Sequence, residues 1–336
     1  MEVSLLKRAF LFILISLLTV ISACSENSQS ATDAAEKEKV VIGYFPNLNH
    51  APAMVAKEKE LYEKHLGEDV EVEYRTFPDG SLFMTALATG EIQGGLVGPS
   101  PAMNNYLSGV DVQIIAASST GGTVIVSGKD SGIETPADIK DITFISPHIG
   151  CTHDVQFETY MKEMGVTSDR VGGSMKHVTG KPAQYGTMFE SGSIDVATAP
   201  EPWASVLEAE QDVNVVIDTN EVSYGKTLPA AVFVTSSDMA DKEPELIQQL
   251  MDAHKEAIDE INEHPEEAID ITIKAIDEIT GQKLDQAIME KAWERTFFEY
   301  ELDEDVIQEF GDSSHDLEFY KEKPDFTDFV DLRFIE

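Results

Sequence analysis

Four residues that ligate metals fall within a seven-residue stretch: His148, Cys151, His153 and Asp154. Thiolate and imidazole together suit zinc or copper. The spacing follows neither a CxxC nor an HExxH pattern, and no distant cysteine pair completes a closed site. The plainer reading is a helix start capped by Thr152 or Asp154, with no metal. Cys151 at such a start is open to a lowered thiol pKa. A second candidate is Gly98-Pro99-Ser100-Pro101-Ala102, close to the G-x-S-x-G nucleophile elbow. Prolines flank the serine, Ala stands at the last position, and no Asp/His pair accompanies it, so Ser100 reads as a donor to ligand and not a nucleophile. Pro200-Glu201-Pro202-Trp203 adds a carboxylate beside a flat apolar surface. Walker A, Rossmann and HExxH motifs are missing. No catalytic residue and no cofactor are expected.

These groups need strand ends to carry them. The apolar run 94–97 ends in Gly98, and a helix-like stretch follows. Ser100 is placed to cap that helix, with Pro101 at its first helical position. Before it, residues 40–45 read as a buried strand, 51–66 as one helix, 70–77 as an alternating strand and 81–88 as a helix stopped by Gly90. Strands at 112–117 and 123–126 follow. This alternation predicts a parallel sheet with helices on both faces. A second series starts after residues 128–132, the expected crossing between lobes: a strand at 142–146, helices at 155–165 and 181–190, and strands at 194–199 and 213–218. Residues 229–235 read as a strand returning to the first lobe. Residues 243–264 form a strongly amphipathic helix with His254 on its apolar stripe, packed and not a ligand. Helices through Ile279 and from 283 to 300 complete the pattern; the acidic tail 301–336 shows no clear element. Ligands of open α/β sheets sit beyond the carboxyl ends of strands. Five turns occupy that place: 46–50, 78–81, 98–100, 118–122 and 150–152.

Composition narrows the partners. The 336 residues hold 24 Lys and Arg against 62 Asp and Glu, a formal charge of −38. Nucleic acid and anionic lipid surfaces are poor partners for such a chain. Lys7 and Arg8 precede an apolar run over residues 9–21, and Ile21-Ser22-Ala23-Cys24 has the form of a bacterial lipobox. Residues 1–23 are therefore expected to be a lipoprotein signal peptide, with Cys24 lipidated on the extracytoplasmic face of the cell membrane. Residues 24–39 lack hydrophobic periodicity and read as a flexible tether. Cys151 is the only other cysteine, so no internal disulfide is possible. The remainder is long enough for two domain-sized cores.

Several stretches carry a resemblance: Ile42 to Ala53, Gly98 to Ala102, Ser119-Thr120-Gly121-Gly122, Gly150-Cys151-Thr152-His153-Asp154, and Ile194-Asp195-Val196-Ala197 with Pro200-Glu201-Pro202-Trp203. In that order they resemble the nitrate/sulfonate/taurine-type substrate-binding proteins of ABC importers, which share a fold with the thiamine-pyrimidine-precursor binding proteins. The resemblance implies an α/β, two-lobed type II periplasmic-binding-protein fold, each lobe a mostly parallel sheet flanked by helices. Lobe one would be 40–127 and 227–336, lobe two 128–226, closing about a hinge on ligand. By position, Asn47, Leu48, Gly80, Ser100, Gly121, Gly122, Thr152, Glu201 and Trp203 would line the cleft. The implied role is non-catalytic and monomeric: capture of a small polar solute (aliphatic sulfonate, taurine, nitrate or similar) for a permease and ATPase. Residues 150–154 depart from the Gly-Asn-Thr-Gln-Asp expected of relatives. Alternatives are a receptor for a thiamine-type pyrimidine, a metal-linked solute held by His148, Cys151 and His153, or a pyrimidine synthase, which the export signal argues against.

Overall fold

The computed structural model describes residues 38–335. The expected signal peptide, Cys24 and most of the tether lie outside them. Glu38 and Lys39, read as tether, instead open the first strand.

Eleven strands are described: β1 (Glu38–Tyr44), β2 (Val70–Thr76), β3 (Gly94–Val97), β4 (Gln113–Gly121), β5 (Thr123–Ser127), β6 (Thr143–Ser146), β7 (Lys176–Thr179), β8 (Val196–Pro200), β9 (Asn214–Ile217), β10 (Pro229–Thr235) and β11 (Thr296–Phe297). They form two sheets, ordered β11-β4-β10-β3-β1-β2 and β7-β6-β8-β5-β9. Pairing is parallel between β1 and β2, β1 and β3, β6 and β7, and β6 and β8. It is antiparallel wherever β5 or β10 takes part. The expectation of mostly parallel sheets is thus corrected to two mixed sheets. The reason lies in the crossings: β5 and β10 enter their sheets directly from the other sheet, at the edge where the parallel strands end. A strand starting at that edge must run against its neighbours.

The first crossing is also not where residues 128–132 suggested. Residues 123–127, assigned to lobe one, hydrogen-bond into the second sheet, with Thr123 opposite Pro200. The change of sheet falls at Gly121 and Gly122, both at positive φ (76° and 72°). A Cβ at Gly122 would lie 2.7 Å from Asn49 Oδ1, so this junction admits glycine for both its conformation and its contact. The return crossing lies between β9 and β10.

Helix boundaries moved for local reasons. The expected single helix over 51–66 breaks at Glu60, whose φ of 52° is left-handed, into Ala51–Glu58 and Leu61–Leu66. The helix expected over 283–300 covers only Gln286–Trp293, after which Thr296 and Phe297 pair with the edge of β4. The tail has structure of its own. A helix at Glu304–Asp316 buries Ile307 and Phe310 against Phe326 and Phe329, and the Ile114 amide donates to Phe329 O at 2.9 Å.

The long helix Pro244–Glu263 buries Leu246, Ile247, Leu250, Met251, His254, Ala257, Ile258 and Ile261, the stripe read from its spacing. His254 is fully buried and its Nε2 donates to Ala117 O at 2.8 Å. Burial pushes its pKa down to about 4. A histidine that titrates near 6.5 when unfolded but near 4 when folded takes up protons mainly in the unfolded chain. Its contribution to stability is complete above pH 6.5 and is lost as pH falls towards 4. The stability of the native protein relative to His254→Gln, read by urea unfolding, should therefore fall by on the order of 2 kcal/mol between pH 7 and pH 5. Parallel pH curves would show that His254 is not held neutral.

Candidate functional site

The carboxyl ends of β1, β2, β3, β6, β7 and β8 converge on a cavity of about 530 Å³. This is where ligands sit in open α/β sheets, and here two sheets contribute walls to one space. Four of the five turns singled out reach it. The fifth, 118–122, does not, because Ser118 to Gly121 continue β4 and stay buried behind the wall.

On the first-sheet side Phe45, Pro46, Asn47, Phe77, Pro78, Asp79 and Gly80 line the cavity. Asn47 accepts from the Asn49 amide at 3.1 Å, which fixes the short turn Leu48–His50. Leu48 itself points into the core, and only its amide reaches across, donating to Glu201 O at 2.9 Å. Asp79 caps the helix Gly80–Ala88, accepting from the amides of Ser81 and Leu82 at 2.9 and 3.0 Å. Those donors are therefore committed to a protein carboxylate.

The turn after β3 differs from expectation. Gly98 is the cap and Pro99 the first helical residue of Pro99–Leu107. Ser100 is thus inside the first turn and does not cap it. It is 1 % exposed and does not line the cavity; its Oγ has no hydrogen-bond partner and its amide donates to Thr152 Oγ1 at 3.4 Å. Gly98 does line the cavity, and a Cβ there would lie 2.6 Å from Thr152 Oγ1. The β3 turn thus packs tightly against Thr152 on the second-sheet side.

On that side the helix Thr152–Glu163 starts at the wall. Its cap is Cys151, not Thr152 or Asp154 as read from sequence. Thr123 Oγ1 donates to Gln156 Oε1 at 2.7 Å, so it accepts from His153 Nδ1 at 2.7 Å. That bond sets the tautomer and leaves His153 Nε2 as an acceptor. Burial lowers His153 to about 4. Burial, aided by His153 nearby, lowers His50 to about 3. Both imidazoles in the wall are neutral at ordinary pH. The lowered thiol pKa considered for Cys151 is corrected: burial, with Asp154 adding to it, pushes it up to about 12, so Cys151 is a thiol and a poor nucleophile.

His148, Cys151 and His153 do not assemble into a ligand set. His148 Nδ1 donates to Ile149 O at 2.8 Å and His153 is held by Thr123. Among the described residues, the metal-ligating types that do converge are Asp154, Glu158 and His177, none of which lines the cavity.

Glu201 is also off the cavity wall. It is fully buried and accepts from the Ser205 amide and hydroxyl, each at 3.0 Å, and from Arg295 at 3.0 Å. Burial raises its pKa, and the guanidinium opposes that rise. Trp203, two residues on, lines the cavity with its side chain 3 % exposed and packs into the main core. Of the nine residues expected in the cleft, Asn47, Gly80, Thr152 and Trp203 line the cavity; Leu48, Ser100, Gly121, Gly122 and Glu201 stand behind it.

Sequence reasoning missed Lys181, the single Lys or Arg among the described lining residues. Its segment, Lys-Pro-Ala-Gln, is a short turn leading into Tyr185–Glu190 and carries no periodicity to mark it. It also missed Phe45, Phe77 and the carboxyl end of Pro265–Thr280, where Ile279, Thr280 and Gln282 close the rim. Gln282 Nε2 donates to Ala183 O at 3.2 Å across that rim.

The NMT1-like family profile matches residues 33–277, more than half of the chain. The protein belongs to the NMT1-like family. The taurine-binding periplasmic protein of Escherichia coli (strain K12) is 27% identical over 227 residues, 67% of this chain and 66% of that one. A Brucella abortus (strain 2308) chain named as a binding protein is 26% identical over 258 residues, covering 76% of this chain and 75% of its own. Among solved structures, the alkanesulfonate-binding protein of Xanthomonas axonopodis pv. citri bound to MOPS superposes with a TM-score of 0.75, at 19% identity, over 89% of this chain and all of that one. Its likeness establishes the periplasmic-binding-protein fold for this family member.

Proposed function

We propose that this NMT1-like protein is the extracytoplasmic receptor of an ABC importer, holding a small organosulfonate or similar anion between its two sheets and delivering it to a permease and ATPase. One observation carries the reading: a cavity built from the strand ends of both sheets has one cation, Lys181, the Thr152 hydroxyl, neutral imidazoles and the apolar rings of Phe45, Phe77 and Trp203 among its lining residues. Family membership and a taurine-binding relative support it. With one cation and an overall charge of −38, hydroxyl and other neutral donors must supply the rest of the anion's contacts, which suits a weakly hydrated sulfonate. Asn47, Gly80, Thr152 and Trp203 contact the solute, while Leu48, Ser100, Gly121, Gly122 and Glu201 shape the backbone behind them. The protein acts without chemistry on its cargo, as a monomer. Lipid on Cys24, after removal of residues 1–23, holds it at the outer face of the cell membrane.

Thermal unfolding of the full chain against taurine, ethanesulfonate, MOPS, nitrate, a hydroxymethylpyrimidine and zinc tests the reading. A ligand at a hundred times its Kd adds about 2.7 kcal/mol, which for a chain of this size raises Tm by about 5 °C. The shift should come from a sulfonate. A shift with the pyrimidine alone would reassign the cargo. Gly98→Ala should weaken sulfonate binding about tenfold or more, because its Cβ forces Thr152 away from the β3 turn. Unchanged affinity in that variant would remove the β3 turn from the site.

A further inference from the structure

Behind the loop that carries Cys151 and Thr152, three buried electron-pair donors face one another without partners. Asp154 Oδ1, Glu158 Oε1 and His177 Nδ1 make no hydrogen bond, and one ligating atom from each residue lies within 4.8 Å of the others. The Asp154 and Glu158 side chains are fully buried and that of His177 is 3% exposed.

The surrounding hydrogen bonds decide what these atoms are. Ser146 Oγ donates to His148 O at 3.0 Å, so it accepts from His177 Nε2 at 2.7 Å. His177 Nδ1 is then a bare lone pair, 4.0 Å from Glu158 Oε1, while its ring stacks on Phe144 with centroids 4.2 Å apart and planes 13° apart. The other carboxylate oxygens are already engaged. Asp154 Oδ2 accepts from the Gly150 amide at 2.7 Å; Glu158 Oε2 accepts from Ser168 Oγ at 2.8 Å and from Arg170 at 3.1 Å. Arg170 balances Glu158 from the far side. Asp154 Oδ1 lies 3.6 Å from His177 Nε2, and among the described residues no Lys or Arg forms an ion pair with Asp154. Three lone pairs turned towards one space repel in a low-dielectric interior unless something positive sits among them.

We propose that Asp154, Glu158 and His177 bind a divalent first-row transition cation, zinc above all. Two carboxylate oxygens and one imidazole nitrogen are a donor set such ions accept. With Nδ1 as the ligand atom, the Ser146 hydroxyl on Nε2 is the outer partner that metal-bound histidines usually carry. The ion fixes the start of the helix Thr152–Glu163, and through the Gly150–Asp154 bond it fixes the loop that forms one wall of the cavity. Its role is structural.

The test uses the full chain, stripped with a chelator and dialysed against zinc in about 0.5 M salt, which suppresses binding to the acidic surface. Bound zinc is counted by mass spectrometry and Tm is read in parallel. One zinc per chain and a raised Tm are expected, with both lost in His177→Gln and in Glu158→Gln and both kept in Cys151→Ala. Ser146→Ala, which touches no ligand atom facing the ion, should weaken zinc binding about 10–100-fold. Cobalt in place of zinc should show weak visible bands without intense thiolate charge transfer. Near-UV circular dichroism of each variant separates lost binding from lost fold, and Glu158→Gln, which keeps an oxygen for Ser168 and Arg170, stands in if His177→Gln unfolds. Zinc no higher than the surface background means that a proton fills the space, and equal zinc in the wild type and both variants places the ion elsewhere. Either result overturns the proposal.

Discussion

Arg295→Ala should destabilise the protein by about 3–5 kcal/mol, the range for stripping one partner from a buried ion pair. Arg295 reaches from the segment just before β11 to three carboxylates beyond the carboxyl ends of β8 and β9: Glu201 at 3.0 Å, Glu208 at 2.5 Å and Asp218 at 3.1 Å. Its side chain is 11 % exposed and that of Glu201 is fully buried. These acids flatten the local balance only while the guanidinium is present, and they raise its pKa further. Removing it leaves Glu201 buried with only Ser205 for company. Against a typical total of about 5–15 kcal/mol, the variant should have a clearly lower urea midpoint. Arg295→Lys should recover only part of the loss, since a single ammonium cannot replace a fork that reaches three partners. The exposed pair Lys274–Glu58, with both side chains roughly half in solvent, is the control: Lys274→Ala should cost less than about 1 kcal/mol. A loss of under about 1 kcal/mol in Arg295→Ala would mean that the pair does not join the two halves of the fold.

Lys181→Met should lower sulfonate affinity by about ten- to a hundredfold, the worth of one hydrogen bond to a charged group. Lys181 is the only Lys or Arg among the described lining residues, and the wall also holds a carboxylate, Asp79, that caps the helix Gly80–Ala88. Methionine keeps the length and apolar stem, so loss of charge is the main change. Calorimetric titrations in low and high salt sharpen the point: native affinity should fall with salt, and the variant's should hardly change. An unaltered Kd in Lys181→Met would leave the anion to neutral donors alone. The neutral state of His50, whose pKa burial holds near 3, predicts that this imidazole adds no pH dependence to binding between pH 5 and 8.

Strand positions and the long amphipathic helix were legible because burial imposes period 2 or 3.6 on residues such as 70–76 and 246–261. The crossing at Gly121-Gly122 was not, since Thr123–Ser127 is an apolar strand that either sheet would accept and only its register against β8 decides. The turns ending in Asn47, Gly80, Gly98 and Thr152 announced themselves through Gly, Pro and capping chemistry. Glu201 carried the same kind of signal but is claimed by Arg295, a partner 94 residues away. Lys181 gave no local signal at all: its place follows from where β7 ends. The same distance rule hid the meeting of Asp154 with Glu158 and His177, which needs both the helix Thr152–Glu163 and β7.

The most direct test is a calorimetric titration of the full chain with taurine and ethanesulfonate, repeated with Lys181→Met. Binding of one sulfonate per chain, saturable and weakened at least about tenfold in the variant, is the predicted result. No binding of either sulfonate, with a pyrimidine saturating the same protein, would contradict an anion-capturing cleft.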